Sequence, residues 1–172
     1  MTKVVRLNLG CGRDIRDGYL NIDAARLPGV SLVADLNRSL PFKDASIDEI
    51  LMDSVLEHLD DVSRALGEVF RVLRRGGTVL IVVPHAYSLD ALRDPTHRHF
   101  FVYGTFDFFI AGHHRDYYFD FAFSSARRRI VFSQSNMFSR FLARAANRRP
   151  WLYENTVLRA FPCLGLEVEL TK

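Results

Sequence analysis

Two short strands joined by a glycine turn constrain this chain most. Arg6-Leu7-Asn8-Leu9 runs into Gly10-Cys11-Gly12, and Tyr19-Leu20-Asn21-Ile22-Asp23 follows almost at once. Glycine has no Cβ and tolerates positive φ, so an apolar run ending in Gly-Cys-Gly can turn sharply and bring its backbone close to a ligand. Asp23 closes the second run. A carboxylate at such a strand end can accept two hydrogen bonds from a vicinal diol, the way doubly wound α/β folds hold a ribose. Turn and acid together point to a nucleoside-containing cofactor. Only Arg13 to Tyr19 separates Gly12 from Leu20, whereas a parallel crossover normally takes a dozen or more residues. The first helix must then be vestigial, and one face of the sheet less covered there.

The rest of the chain alternates strands and helices. Ser31-Leu32-Val33-Ala34-Asp35-Leu36 reads as a third short strand closing on an acid, and Ile47 to Asp53 as a fourth. Asp60-Asp61 begins a helix with Val62, Ala65, Leu66, Val69, Phe70 and Leu73 on one face, ended by Gly76-Gly77. Thr78 to Val83, stopped by Pro84, reads as a strand buried on both faces. Beyond it, residues 87–127 are dense in histidine and aromatics. Thr105 to Ala111 is expected to be helical, Tyr117 to Phe123 extended, and Arg129 to Ser133 a strand. A helix starts at Ser135 with Met137, Phe138, Phe141, Leu142, Ala145 and Ala146 on one stripe and Pro150 past its end. A helix over Glu154 to Ala160 and a final strand, Leu166 to Leu170, complete the pattern. This alternation predicts a mostly parallel sheet.

At 172 residues the chain is long enough for one domain with a proper core. Hydrophobic content of 48% without any run near the roughly 20 apolar residues of a membrane span makes a membrane helix unexpected. The start of the chain has no signal-peptide pattern, so a cytoplasmic location is expected. Two cysteines, Cys11 and Cys163, make no disulfide framework. The net charge is +3, with arginines 127, 128, 129, 140, 144, 148 and 149 crowding the last third. Such a tract reads as solvated surface in preference to a nucleic-acid site.

These residues resemble a class I S-adenosylmethionine-dependent methyltransferase over roughly residues 5–86. Leu7 to Gly12 resembles the family's first motif, Asn21-Ile22-Asp23 its ribose-binding acid, and Ala34-Asp35-Leu36 the acid that meets the adenine amino group. Leu40-Pro41-Phe42 through Ile50, then Leu56-Glu57-His58-Leu59, resembles the passage through the fourth strand. Leu73 to Leu80 resembles the double-glycine turn into the fifth. Asp94-Pro95-Thr96-His97-Arg98-His99-Phe100-Phe101 is similar to a segment of small bacterial members. The resemblance implies a Rossmann-like, doubly wound sheet of seven strands, mostly parallel, with an antiparallel last strand and here a shortened first helix. It implies S-adenosylmethionine bound by Gly10, Cys11, Gly12, Arg13, Asp23, Asp35, Leu36 and Asp53. With the helix shortened, Arg13 or Arg16 is expected to supply the charge that meets the cofactor's carboxylate.

The catalytic candidates are His58, His97 and His99, since a neutral imidazole can take a proton from an attacking hydroxyl near pH 7. The expected reaction moves a methyl group to oxygen or nitrogen of a small-molecule acceptor, under a cover formed by residues 87–127. The aromatic side chains of that stretch read equally as core, as a homodimer surface or as a pocket wall. His97 and His99, with His113 and His114, match no established metal-ligand spacing, so no metal is expected. A non-catalytic binding or scaffold module on the same fold is the rival reading. A dinucleotide oxidoreductase is disfavoured, because the turn lacks the third glycine of G-x-G-x-x-G.

Overall fold

A computed structural model describes residues 4–172, without the side chain of Asp116. Seven strands form one sheet: β1 (Arg6–Leu9), β2 (Leu20–Asp23), β3 (Leu32–Val33), β4 (Ile47–Asp53), β5 (Leu73–Pro84), β6 (Ser125–Val131) and β7 (Gly165–Thr171). Their spatial order is β3-β2-β1-β4-β5-β7-β6. Strands β1 to β5 pair in parallel, and β7 runs antiparallel to both its neighbours. The expected mixed α/β sheet is therefore present. Its order reverses at β1, which lies between β2 and β4, and ligands of open α/β sheets bind beyond the strand ends at such a point.

No helix forms between β1 and β2; the chain crosses over in turns. A pair of buried asparagines takes the missing helix's place in tying the connection down. Asn8 Nδ2 donates to Asn21 Oδ1 at 3.0 Å and to the Asp14 carbonyl at 2.7 Å. Asn21 Oδ1 also accepts the Arg16 amide at 3.0 Å, and its Nδ2 donates to the Arg16 carbonyl at 3.1 Å. The Asp14 carbonyl and both polar backbone groups of Arg16 are thus satisfied without helical bonds.

The two faces of the sheet differ sharply. Leu7, Leu9, Ile22, Ile50, Met52, Val79, Ile81, Val168 and Leu170 lie on one face and are all buried. Helix α1 (Val62–Val72) and the aromatic segment share that core: Phe70 packs on Phe121 and Phe123, and Phe101, Phe106 and Phe109 are buried. The opposite face carries Arg6 paired to Glu49, Arg129 to Glu167 and Arg127 near Glu169, with Leu80 38% exposed. Thr78 to Val83 is therefore buried on one face only, because no helix lies between β1 and β4 to cover the other. Three of the clustered arginines, Arg127, Arg128 and Arg129, are paired to acids within the fold.

Several boundaries differ from the sequence reading. The third strand shrinks to Leu32–Val33, and the helix at 105 is a 3-10 helix over Tyr103–Phe109. Tyr117 and Tyr118 lie in a short 3-10 turn, Asp116–Tyr118, and the strand expected at Arg129 begins at Ser125. After α2 (Leu89–Arg93) comes α3 (Met137–Arg148), which buries Leu142 and Ala146 but leaves Met137, Phe138 and Phe141 exposed. Pro150 lies past the end of α3, as expected, and itself opens α4 (Pro150–Asn155), where its missing N–H costs nothing. Asp61 caps α1 by accepting the Arg64 amide at 3.0 Å, as the acids before that helix suggested.

The long connection from β3 to β4 is held by α1. Arg71 donates to the carbonyls of Leu40 and Phe42 at 3.0 and 2.9 Å and to Glu68, while Glu68 accepts the Leu40 amide at 2.7 Å. Hydrogen bonding from Arg71 is the main cause holding the Glu68 carboxyl below its ordinary range. A depressed carboxyl stabilises the fold above its unfolded-state pKa and loses that contribution as pH falls through the folded value. Replacing Arg71 by Met is therefore expected to cost about 2 kcal/mol at pH 7. Urea unfolding of both proteins should show this difference shrinking below about pH 4.

Candidate active site

The glycine turn leaves β1 with Gly10 at φ 66° and Gly12 at φ 50°. A side chain on Gly10 would run into Val55, so that position requires glycine on two counts. Asp23 braces the turn from the end of β2: its Oδ2 accepts the Gly12 amide at 2.7 Å and its Oδ1 the Ala25 amide at 2.8 Å. Gly12 and Asp23 therefore sit side by side at the carboxyl ends of adjacent strands. Cys11 is buried in the turn, and burial, helped by Asp23, pushes its thiol up and away from nucleophilic use.

The remaining cofactor candidates spread outward from this point. Arg13 is exposed and makes no hydrogen bond or ion pair among the described residues, whereas Arg16 is paired with Asp14 at 2.8 Å. Asp35 is exposed, accepts the Asn37 amide at 2.9 Å and faces Arg38 at 3.4 Å; Leu36 packs partly on the core. Asp53 ends β4 exposed and accepts from the Ser54 hydroxyl at 3.2 Å, with Ser54 itself in the left-handed region at φ 56°.

Beside Ser54 a cavity of about 450 Å³ opens, lined among others by Glu57, His58, Val83, Asp94 and His97. One side of its wall is built by a clamp. The Glu57 carbonyl accepts the amides of Arg98 at 2.7 Å and His99 at 3.3 Å, which binds the His97 segment to the 3-10 helix Leu56–His58. Arg98 is ion-paired with Asp60, and His99 Nε2 donates to the Leu59 carbonyl at 2.9 Å. His99 is thus part of the clamp, while His58 and His97 meet edge to face with ring centroids 4.8 Å apart.

Hydrogen bonds fix both of these rings. The Thr96 hydroxyl gives its one proton to Asp94 at 2.6 Å, so it accepts from His58 Nδ1 at 2.9 Å. His97 Nδ1 donates to the Ala91 carbonyl at 3.0 Å. Nδ1 is thus the donor on both rings, which leaves Nε2 as the atom that carries the lone pair of a neutral imidazole. Immediately before His58 lies the residue that the sequence reading gave no role. Glu57 is 1% exposed, and neither of its carboxylate oxygens has a hydrogen-bond partner among the described residues. Desolvation, opposed by His97 and reinforced by Asp53 and Asp94, raises its pKa to about 7. The adjacent acid and histidine of Leu-Glu-His-Leu were the visible signal, but nothing local in sequence indicates that the carboxylate is inside.

Residues 7–81 match the family described as a methyltransferase domain. Over that stretch, less than half of the 172 residues, the chain is similar to this family. A relative from Mycolicibacterium smegmatis, named a probable S-adenosylmethionine-dependent methyltransferase, is 39% identical over 70 residues, covering 41% of this chain and 27% of its own. A ubiquinone/menaquinone biosynthesis C-methyltransferase from Pasteurella multocida is 31% identical over 85 residues, 46% of this chain and 32% of its own. The chain thus spans about a third or less of these two relatives. A crystal structure of a SAM-dependent methyltransferase from Archaeoglobus fulgidus shares the fold across 99% of this chain and 87% of its own, with a TM-score of 0.67 at 18% identity. No helix among the described residues is long and apolar enough to cross a membrane.

A buried carboxylate without a partner is held at the expense of stability. Glu57→Gln should therefore raise the stability of the metal-free, ligand-free protein by about 1–2 kcal/mol at pH 8. A thermal melt in chelator checks this, and a lower melting temperature would show that the carboxylate has a stabilising partner.

Proposed function

We propose that this protein transfers the methyl group of S-adenosylmethionine to an oxygen or nitrogen atom of a small acceptor held in the cavity beside Ser54. The observation that carries this reading is the adjacency of two half-sites. The glycine turn and Asp23 occupy the ends of β1 and β2, and the cavity begins at Ser54, immediately after the end of the neighbouring β4. A cofactor lying across the strand ends would point its sulfonium toward that cavity. The methyl transfer needs little from the protein beyond alignment, exclusion of water and removal of the acceptor's proton.

Asp23 is the residue for the ribose diol. For that it would exchange its bond to the Gly12 amide for the hydroxyls, a small rearrangement of one side chain. Arg13 is better placed than Arg16 to meet the methionine carboxylate, because Asp14 already neutralises Arg16. Asp35 and Leu36 serve the adenine, and Asp53 the methionine end. On the acceptor side, His58 and His97 offer Nε2 lone pairs and Glu57 a carboxylate, all able to hold or deprotonate a hydroxyl. His99 positions His97 through the clamp on Leu59 and Glu57. Residues 89–97 of the histidine-rich segment wall the acceptor site, and its buried aromatics belong to the core. Glu57, His58 and His97 on the wall favour an acceptor heteroatom, because an acceptor carbon would leave the Glu57 carboxylate unpaired.

Calorimetry and a labelled-methyl assay against pools of small hydroxylated and amine metabolites test this together. Asp23→Ala is expected to weaken S-adenosylmethionine binding at least tenfold, and Arg13→Ala about fivefold against little change for Arg16→Ala. His97→Ala should keep cofactor affinity and lose about a hundredfold in transfer rate. Absence of cofactor binding by the intact protein would leave only a non-catalytic module on this fold.

A further inference from the structure

We propose that Glu57, His58 and His97 bind one divalent transition-metal ion of the zinc type in the wall of the cavity. One ligand-capable atom from each residue lies within 4.8 Å of the others. Ligands on a tetrahedral zinc with bonds of about 2.1 Å stand about 3.4 Å apart, so loading draws the three atoms together by up to about 1.4 Å. Small side-chain rotations supply that movement, since His58 and His97 are only partly buried.

Three features make this a metal site in preference to a chance cluster. The Glu57 carboxylate is fully buried, has no hydrogen-bond partner among the described residues and lines the same cavity as both histidines. A cation is the partner that removes the cost of burying such a group. The histidines are also prepared from behind: His97 Nδ1 is bound to the Ala91 carbonyl, and His58 Nδ1 to Thr96, which is itself bound to Asp94. Metal-ligating histidines almost always donate their other ring nitrogen to such a partner, which fixes the tautomer and turns the lone pair toward the metal. Finally, the donor set is two imidazoles and one carboxylate, the combination of catalytic zinc and other open divalent sites. Such a set leaves coordination positions free. Of the cavity's other acids, Glu167 is paired with Arg129 and Asp90 with Arg93, which leaves Asp94 to add a field that attracts a cation.

The assignment deepens the acceptor-site reading above, because an acceptor hydroxyl on the open position would lose its proton more easily. Metal binding itself does not depend on methyl transfer and is tested without it. Tag-free full-length protein, stripped with chelator, is titrated with Zn(II) by calorimetry and with Co(II) by visible absorption. The expected result is one saturable site with the intense bands of four- or five-coordinate Co(II). His97→Ala and Glu57→Gln should each weaken Zn(II) at least a hundredfold, and Thr96→Val about tenfold through the lost support of His58. Circular dichroism melts establish that the variants are folded. No saturable binding, or binding unchanged in both ligand variants, overturns the proposal. Metal bound without any cofactor affinity would sustain this site and sink the methyltransferase reading. Cofactor bound without metal would do the reverse.

Discussion

The bond between the side chains of Asn8 and Asn21 is the interaction on which the rest of the structure depends. A parallel pair of strands needs a crossover, and the usual crossover is a helix that satisfies its own backbone while covering the sheet. Here the crossing is too short for one. The two amides instead take up the carbonyl of Asp14 and both polar backbone groups of Arg16. Each such group left unpaired in the interior would cost about 1–3 kcal/mol. Two buried asparagines therefore keep β1 beside β2, and with them the glycine turn beside Asp23.

The same economy shapes the whole sheet. With no helix between β1 and β4, one face meets solvent, and its residues have become ion pairs and short polar contacts: Arg6 with Glu49, Arg129 with Glu167. Exposed pairs of this sort add little stability, but they make a bare sheet face compatible with water. The burden of burial falls on the other face, where α1 and the aromatic segment pack. That segment has a second consequence. Its first part reaches back to the Glu57 carbonyl and so brings His97 against His58 at the cavity. Core packing and site construction are two ends of one stretch of chain.

Much of this was legible in the sequence where the cause is local. Asp61 and the apolar period fixed α1, and the glycine turn and the strand-end acid Asp23 marked the adjacent carboxyl ends of β1 and β2. The parallel order followed from alternation. What escaped depends on residues far apart. The run Val79 to Val83 reads as buried on both faces, and only the absence of helices across residues 10–46 leaves Leu80 half open. Met137, Phe138 and Phe141 fit a core stripe, yet α3 sits at the sheet's edge with only its Leu142 and Ala146 side covered. Among the three candidate histidines, His99 is spent on a backbone carbonyl while His58 and His97 converge, a distinction no spacing encodes. Glu57 was invisible for the same reason: its burial is made by a segment forty residues downstream.

The central claim is that a cofactor site survives the loss of its first helix and opens onto the cavity at Glu57. A crystal structure with S-adenosylhomocysteine tests it most directly. The account predicts the ribose on Asp23, the amino-acid end over Gly10 to Arg13, and the sulfur facing Ser54 and the cavity. A ligand bound elsewhere, or one whose sulfur faces away from Glu57, His58 and His97, would contradict it.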